Sequence, residues 1–233
     1  MHTSKRILSV VATTAILATV TLGAATVARS PDLKLPLDPW LGLSESQKAA
    51  QVQTAYGEQA QFIRDFNKSG RDPHSLRREE SEAFSAGPET LDDAMGASDI
   101  VVLAKVRELT FEPIEGQWLG QARTTIDVLY QFKGDTGATI EVIQPGSPAP
   151  TSDGSGVLQQ VDVAPVLMPG DRVLLMLVRV GPTTFTPLPG AGVVYVESDQ
   201  LRTVARSPLR LLLTGKSESE ALALYSGALA RFK

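Results

Sequence analysis

Residues 123–144, "RTTIDVLYQFKGDTGATIEVIQ", constrain the fold more than any other stretch. In the first half Ile126, Val128, Tyr130 and Phe132 fall on one side, and Thr125, Asp127, Leu129 and Gln131 on the other. In the second half Ala138, Ile140 and Val142 alternate with Thr139 and Glu141. A period of two is the mark of a strand with one buried face. Between the halves stands Lys133-Gly134-Asp135-Thr136-Gly137. Two glycines beside a lysine raise the question of a phosphate-binding loop. Such a loop needs Gly-x-x-x-x-Gly-Lys-Ser/Thr followed by a helix. Here the lysine precedes the first glycine, the spacing is two residues short, and a β-patterned segment follows. The segment therefore reads as a hairpin, with Gly134 and Gly137 expected to supply positive φ. Nucleotide chemistry loses its only motif.

Other segments extend the β pattern. Residues 99–109 place Ile100, Val102, Ala104 and Val106 on one face, and Val101, Leu103, Lys105 and Arg107 on the other. Residues 173–178 are six consecutive apolar positions after a Pro-Gly turn. That run is too short to cross a bilayer as a helix and reads as a strand buried on both faces. Residues 185–204 give an irregular edge segment, a strand at 193–197, a tight turn and a strand at 201–204. Residues 110–121 and the breaker-rich 145–156 read as loops, the second exposed. Helices are expected where caps precede apolar periodicity: Ser44 with Gln47, Thr90 with Asp93, and Ser217. The sum is a mainly β, α+β domain over residues 88–233. It has five or six strands, a C-terminal helix, and an architecture of small barrel or sandwich.

The first 87 residues differ in kind. Lys5 and Arg6 precede residues 7–28, a run of 22 positions without a charge. As a helix it would measure ~33 Å, enough to span a bilayer. Small residues at 23–25 and 28 also fit a cleavage site. Residues 1–28 thus read as a signal peptide or an N-terminal membrane anchor, with the remainder exported in either case. Residues 29–87 read as a Pro-rich linker, an amphipathic stalk helix ending at Gly70, and a second short helix or connector. The stalk stripe (Ala49, Val52, Tyr56, Ala60, Ile63, Phe66) can pack on the domain or pair with a partner helix.

Four segments carry a resemblance: "ASDIVVLAKV", "TTIDVLYQFKGDTGATIEVIQPG", "LMPGDRVLLML" and "GAGVVYVESDQL". In this order they resemble a group of uncharacterised exported proteins of Gram-positive bacteria, over about residues 91–204. The layout is similar to the netrin-like, tissue-inhibitor-type OB barrel, which implies a small OB-like barrel here. Tissue inhibitors of metalloproteinases act through an N-terminal cysteine, and this chain has no cysteine. Their mechanism and their functional residues do not carry over.

Chemistry-bearing side chains are sparse. The two histidines are His2 and His74, both outside 88–233, which argues against a Ser-His triad or a His-rich zinc site. Glu108, Glu112, Glu115, Asp127 and Glu141 are candidates for a carboxylate pair by type only. Asp92, Asp93 and Asp99 suit caps better than a metal, and Asp153 and Asp162 lack the ladder of a calcium loop. No catalytic residue, metal or cofactor is expected. Phe111 and Trp118, placed in the loop after the first strand, are the candidate ligand or partner residues, with folding back onto the barrel as the other reading. The net charge is −4, and Lys5 and Arg6 leave the rest of the chain at −6. That balance argues against nucleic acid. The expected function is a non-catalytic extracytoplasmic module binding an envelope protein or polysaccharide. The alternative is an exported carboxylate-dependent hydrolase.

Overall fold

The computed structural model describes residues 43–81, 87–117, 119–151, 153–204 and 207–231. From Leu43 onward the chain forms one compact unit. The export segment 1–28 and the linker 29–42 lie outside the described residues. Among the described residues no helix is long and apolar enough to cross a membrane.

The described elements are α1 (Glu45–Ser69), a 3-10 turn (Pro73–Ser75), β1 (Arg77–Ser81), α2 (Leu91–Ala97), β2 (Ile100–Glu112), β3 (Gln121–Lys133) and β4 (Thr139–Ala149). They continue with β5 (Val157–Val161), β6 (Arg172–Arg179), β7 (Thr184–Pro187), β8 (Val193–Glu197), β9 (Gln200–Thr203), α3 (Arg210–Leu213) and α4 (Glu218–Ala230). Five strands close on themselves in the order β2-β3-β4-β7-β6 and back to β2. Four of these pairings are antiparallel; β4 and β7 run parallel, through Glu141–Thr184 and Val142–Phe185. Closure settles barrel against sandwich. It depends on β7, which the sequence shows only as an irregular edge segment around two prolines.

The barrel interior holds Ile100, Val102, Ala104 and Val106 with Ile126, Ile140, Val142, Val173, Leu175, Leu177 and Phe185. The alternation sorts inside from outside as expected for residues 100–106 and for Ile126, Val128, Ile140 and Val142, whereas Phe132, expected with them, packs instead against Tyr225 in the cluster under α4. β2 and β6 are buried on both faces, because Val101, Leu103, Leu174 and Met176 pack under α2 and α4. Register shifts along β2 at three points bend this 13-residue strand around the barrel.

Several expectations are corrected. Residues 145–156 are not one exposed loop: β4 runs on to Ala149, and Gly146–Ala149 are buried against β5. Gly146 makes this possible, since a Cβ there would stand 2.4 Å from a Val166 methyl. The stalk connector contains β1, which pairs in parallel with β5. Its partner is about 80 residues away in sequence, so local periodicity carries no sign of it. The described strands number nine. Tyr130, expected inside, is 53% exposed. β3 outruns its pairing with β4 at Asp127–Thr139, so no interior remains beside Tyr130. In the hairpin turn only Gly134 takes positive φ, at 82°; Gly137 does not.

α1 packs on the barrel through its second half. Ile63 and Phe66 join Leu76, Phe111, Ala122, Leu158, Val166 and Met168 in a third cluster. Val52, in the first half of the same stripe, is 54% exposed. The Gln59 amide donates to the Pro148 carbonyl at 2.8 Å. Asn67 mimics a strand neighbour: its Nδ2 donates to the Phe111 carbonyl at 2.7 Å and its Oδ1 accepts from the Phe111 amide at 3.2 Å.

Candidate binding groove

A groove of about 660 Å³ lies between α2, α3 and α4. Its walls follow from local sequence. At α2, Thr90 caps the helix by accepting from the Asp93 amide at 3.1 Å. At α4, Ser217 and Glu220 form a reciprocal capping box, with the Ser217 amide donating to Glu220 Oε2 at 2.8 Å. The turn before α4 covers the outer edge of β9: Leu201 donates to the Lys216 carbonyl at 2.8 Å, and Gly215 donates to the Leu201 carbonyl at 2.9 Å. That lock sets the direction of α4. One face of α4 then buries Ala221, Tyr225 and Ala228 in the core. The adjoining stripe offers Ala223, Leu224 and Gly227 to the groove, Leu224 also packing in part on the core, and Leu91 and Leu212 complete the apolar lining.

The rim is charged and balanced. Asp92 and Glu220 are its acids, Lys216 and Arg231 its bases. Arg231 reaches across from the end of α4 to Asp92, with Nε donating at 2.9 Å. That bond holds the Asp92 carboxyl below the usual carboxylate range. The Ser217 amide and hydroxyl do the same for Glu220. Neither acid is a proton donor near neutral pH. In the lining Leu212 is 38% exposed, and its neighbour Leu211, outside the lining, is 98% exposed. No sequence signal singled out these leucines, because "LRLLL" reads equally well as core.

The residues named from sequence fall elsewhere. Phe111 is not in a loop: β2 carries it, it is 2% exposed, and its ring meets Phe66 edge-on at 5.8 Å. Trp118 lies outside the described residues. Two of the candidate carboxylates are drawn to Arg123 on the outer barrel face: Glu112 at 3.0 Å and Glu141, which also accepts from Thr184 at 3.0 Å. Asp127 pairs with Arg107. Arginine hydrogen bonds hold Asp127 and Glu141 below their ordinary range. Asp99 accepts from the Arg179 amide at 2.8 Å. Asp153 closes its own turn with Thr151 and Ser155, which holds its carboxyl low. Among the described residues no group of three or more His, Asp or Glu side chains converges as a metal site would require.

Asp171 is shifted the opposite way from Asp127, Glu141 and Asp153. Burial pushes its carboxyl up, against the Met168 amide that donates to it at 2.8 Å. Nearby Tyr195 is pushed up to about 12 by burial, and Arg78 offsets part of that cost. His74 Nε2 donates to the Pro169 carbonyl of the same turn at 2.9 Å. The Pro-Gly-Asp turn signal located this turn but not the partial burial of the Asp171 carboxyl.

No family model matches this chain, and no curated protein matches it at a significant level.

Proposed function

We propose that this protein is a non-catalytic extracytoplasmic interaction module that docks a protein in the groove between α2, α3 and α4. The observation that carries this reading is the pair of exposed leucines, Leu211 and Leu212, beside an apolar groove with a charge-balanced rim. Solvent-facing leucines at such a groove mark a surface that another molecule covers. A polysaccharide site would want aromatic rings to stack on sugars, and the groove lining has none. A protein is therefore the better fit. The barrel is read as an OB-type scaffold: numbering the ring strands by sequence gives the order 1-2-3-5-4, with a parallel third and fifth strand, as OB barrels close. Residues 1–28 export it, as a cleaved signal peptide or as a single-pass anchor with the N-terminus inside.

A photo-crosslinking amino acid placed at Leu212 in growing cells tests this. A discrete protein adduct is expected there and not at Ser155, an exposed loop position outside the groove. Absence of an adduct, or the same pattern at both positions, counts against the module. Sequencing the N-terminus of the same material decides between cleavage and anchoring.

A further inference from the structure

We infer that β1 is a strap that opens and closes beside the turn at Pro169-Gly170-Asp171, with the charge of Asp171 as its control: the strap sits tightest when that carboxyl is protonated and loosens when it ionises. The strap lies apart from the groove and does not depend on it. β1 is lightly held. It has five residues, carries Arg77, Arg78, Glu79 and Glu80, and among the described strands pairs only with β5, in parallel, from Arg77–Val157 to Ser81–Val161. Residues 77–80 are all exposed. The nearest apolar anchor is Leu76, just before the strand, in the cluster under α1. Segments with few buried apolar contacts open locally, well before the whole fold does. The other ties are polar: Gln160 Nε2 donates to Glu80 at 3.1 Å, and His74 Nε2 donates to the Pro169 carbonyl at 2.9 Å.

Closure of the strap leaves two polar groups poorly served. The Tyr195 hydroxyl is buried without a hydrogen-bond partner. The Asp171 carboxyl is partly buried and accepts from the Met168 amide of its own turn at 2.8 Å. Arg78 brings the strap to both, since its charge acts on Asp171 and on Tyr195. The other groups facing Asp171 are His74 from the 3-10 turn, Glu197 and Tyr195 from β8, and Arg202 from β9. Arg202 is itself engaged, paired with Glu197 at 2.6 Å and lying over the Tyr195 ring at 4.9 Å. The cations favour the ionised carboxyl, but burial outweighs them and holds it above its ordinary range. Opening the strap returns water to Asp171, and water favours the ionised form. The closed state therefore binds the proton more tightly than the open one. Acid closes the strap, and rising pH loosens it. His74 does not reverse that sign, because a neutral imidazole keeps its Nε2 donor for the Pro169 carbonyl. Opening also bares the edge of β5, a row of unpaired backbone groups over Val157–Val161.

Hydrogen exchange on the full-length chain in a mild non-ionic detergent reads the strap directly. Protection factors are compared, so that the pH dependence of intrinsic exchange cancels. The β1 amides bonded to β5 are expected to open without the barrel, with protection well below that of residues 100–106. Between pH 4 and pH 7.5 their protection should fall by about threefold or more. Asp171→Asn keeps an acceptor for the Met168 amide and removes the charge, so it should hold the higher protection across that range. Arg78→Gln is the second arm. It should change protection little at pH 4 and lower it further at pH 7.5, because the buried carboxylate then loses a cation. Equal protection of β1 and residues 100–106 overturns the strap. A pH dependence that survives Asp171→Asn, or an equal loss at both pH values in Arg78→Gln, overturns control by the Asp171 charge.

Discussion

Phe111 shows how one side chain can be named for one role and serve another. Its ring fills the seam between α1 and the barrel, and Asn67 holds its backbone by both the amide and the carbonyl. Phe111→Ala should cost about 3–5 kcal/mol, because the cavity opens where helix and strand are already fixed. Asn67→Ala should cost about 1–3 kcal/mol by stranding a buried carbonyl and amide. Urea denaturation of the two variants measures both. Asp171 offers a pH test with the opposite sign from Asp92, Asp127 and Glu141. Its folded carboxyl titrates above the unfolded value of about 3.9. Between those two values the folded state binds more protons, so stability falls as pH rises through the window. Asp171→Asn should therefore match or exceed the native chain in stability at pH 7.5, and lose that advantage on acidification toward pH 4. Equal urea midpoints for the two chains at every pH would show that this carboxyl is not held up by burial. Asp92, Asp127 and Glu141 are held low, so they give stability above the unfolded carboxylate range that is lost as pH falls.

Among the elements, the β3–β4 hairpin was fully legible as a hairpin, since its alternation and its breakers are local properties. The roles of its glycines were not. Gly134 takes φ 82°, and a Cβ there would sit 2.4 Å from the Asp99 carbonyl. Gly137 has ordinary φ, and its nearest neighbour would be 3.7 Å away. Gly134→Ala should lower stability by about 1–3 kcal/mol. Gly137→Ala should be neutral or slightly stabilising. Paired thermal melts separate the two. Helix starts were equally legible: Ser44, Thr90 and Ser217 cap α1, α2 and α4 as their spacing implies. β1 and β7 were not, because a charged edge strand and a proline-flanked four-residue strand have no pattern of their own. Only their partners make them strands.

On the scale of the whole molecule, α1 divides into two halves with different surroundings. Gln59, Ala60, Ile63 and Phe66 are buried against the barrel, while Val52 stands in solvent. Hydrogen exchange should show amides of 45–57 opening well before those of 60–69, which should exchange with the barrel strands. Uniform protection along α1 would mean that the first half is covered as well. The groove belongs to this scale too. Its apolar wall comes from three helices separated by up to about 130 residues of chain, and no single segment announces it. Local sequence was enough for the strand periodicity, the hairpin, the helix caps, the two-faced burial of residues 173–178, and the exclusion of cysteine chemistry. These follow from neighbours a few residues apart. Tertiary structure alone decided that the barrel closes, that β4 continues through Pro145-Gly146 into a second pairing, and that Phe111 lies under α1. It also decided that Leu211 and Leu212 face outward. Each of these depends on contacts between distant segments, and burial is a property of such contacts rather than of local pattern.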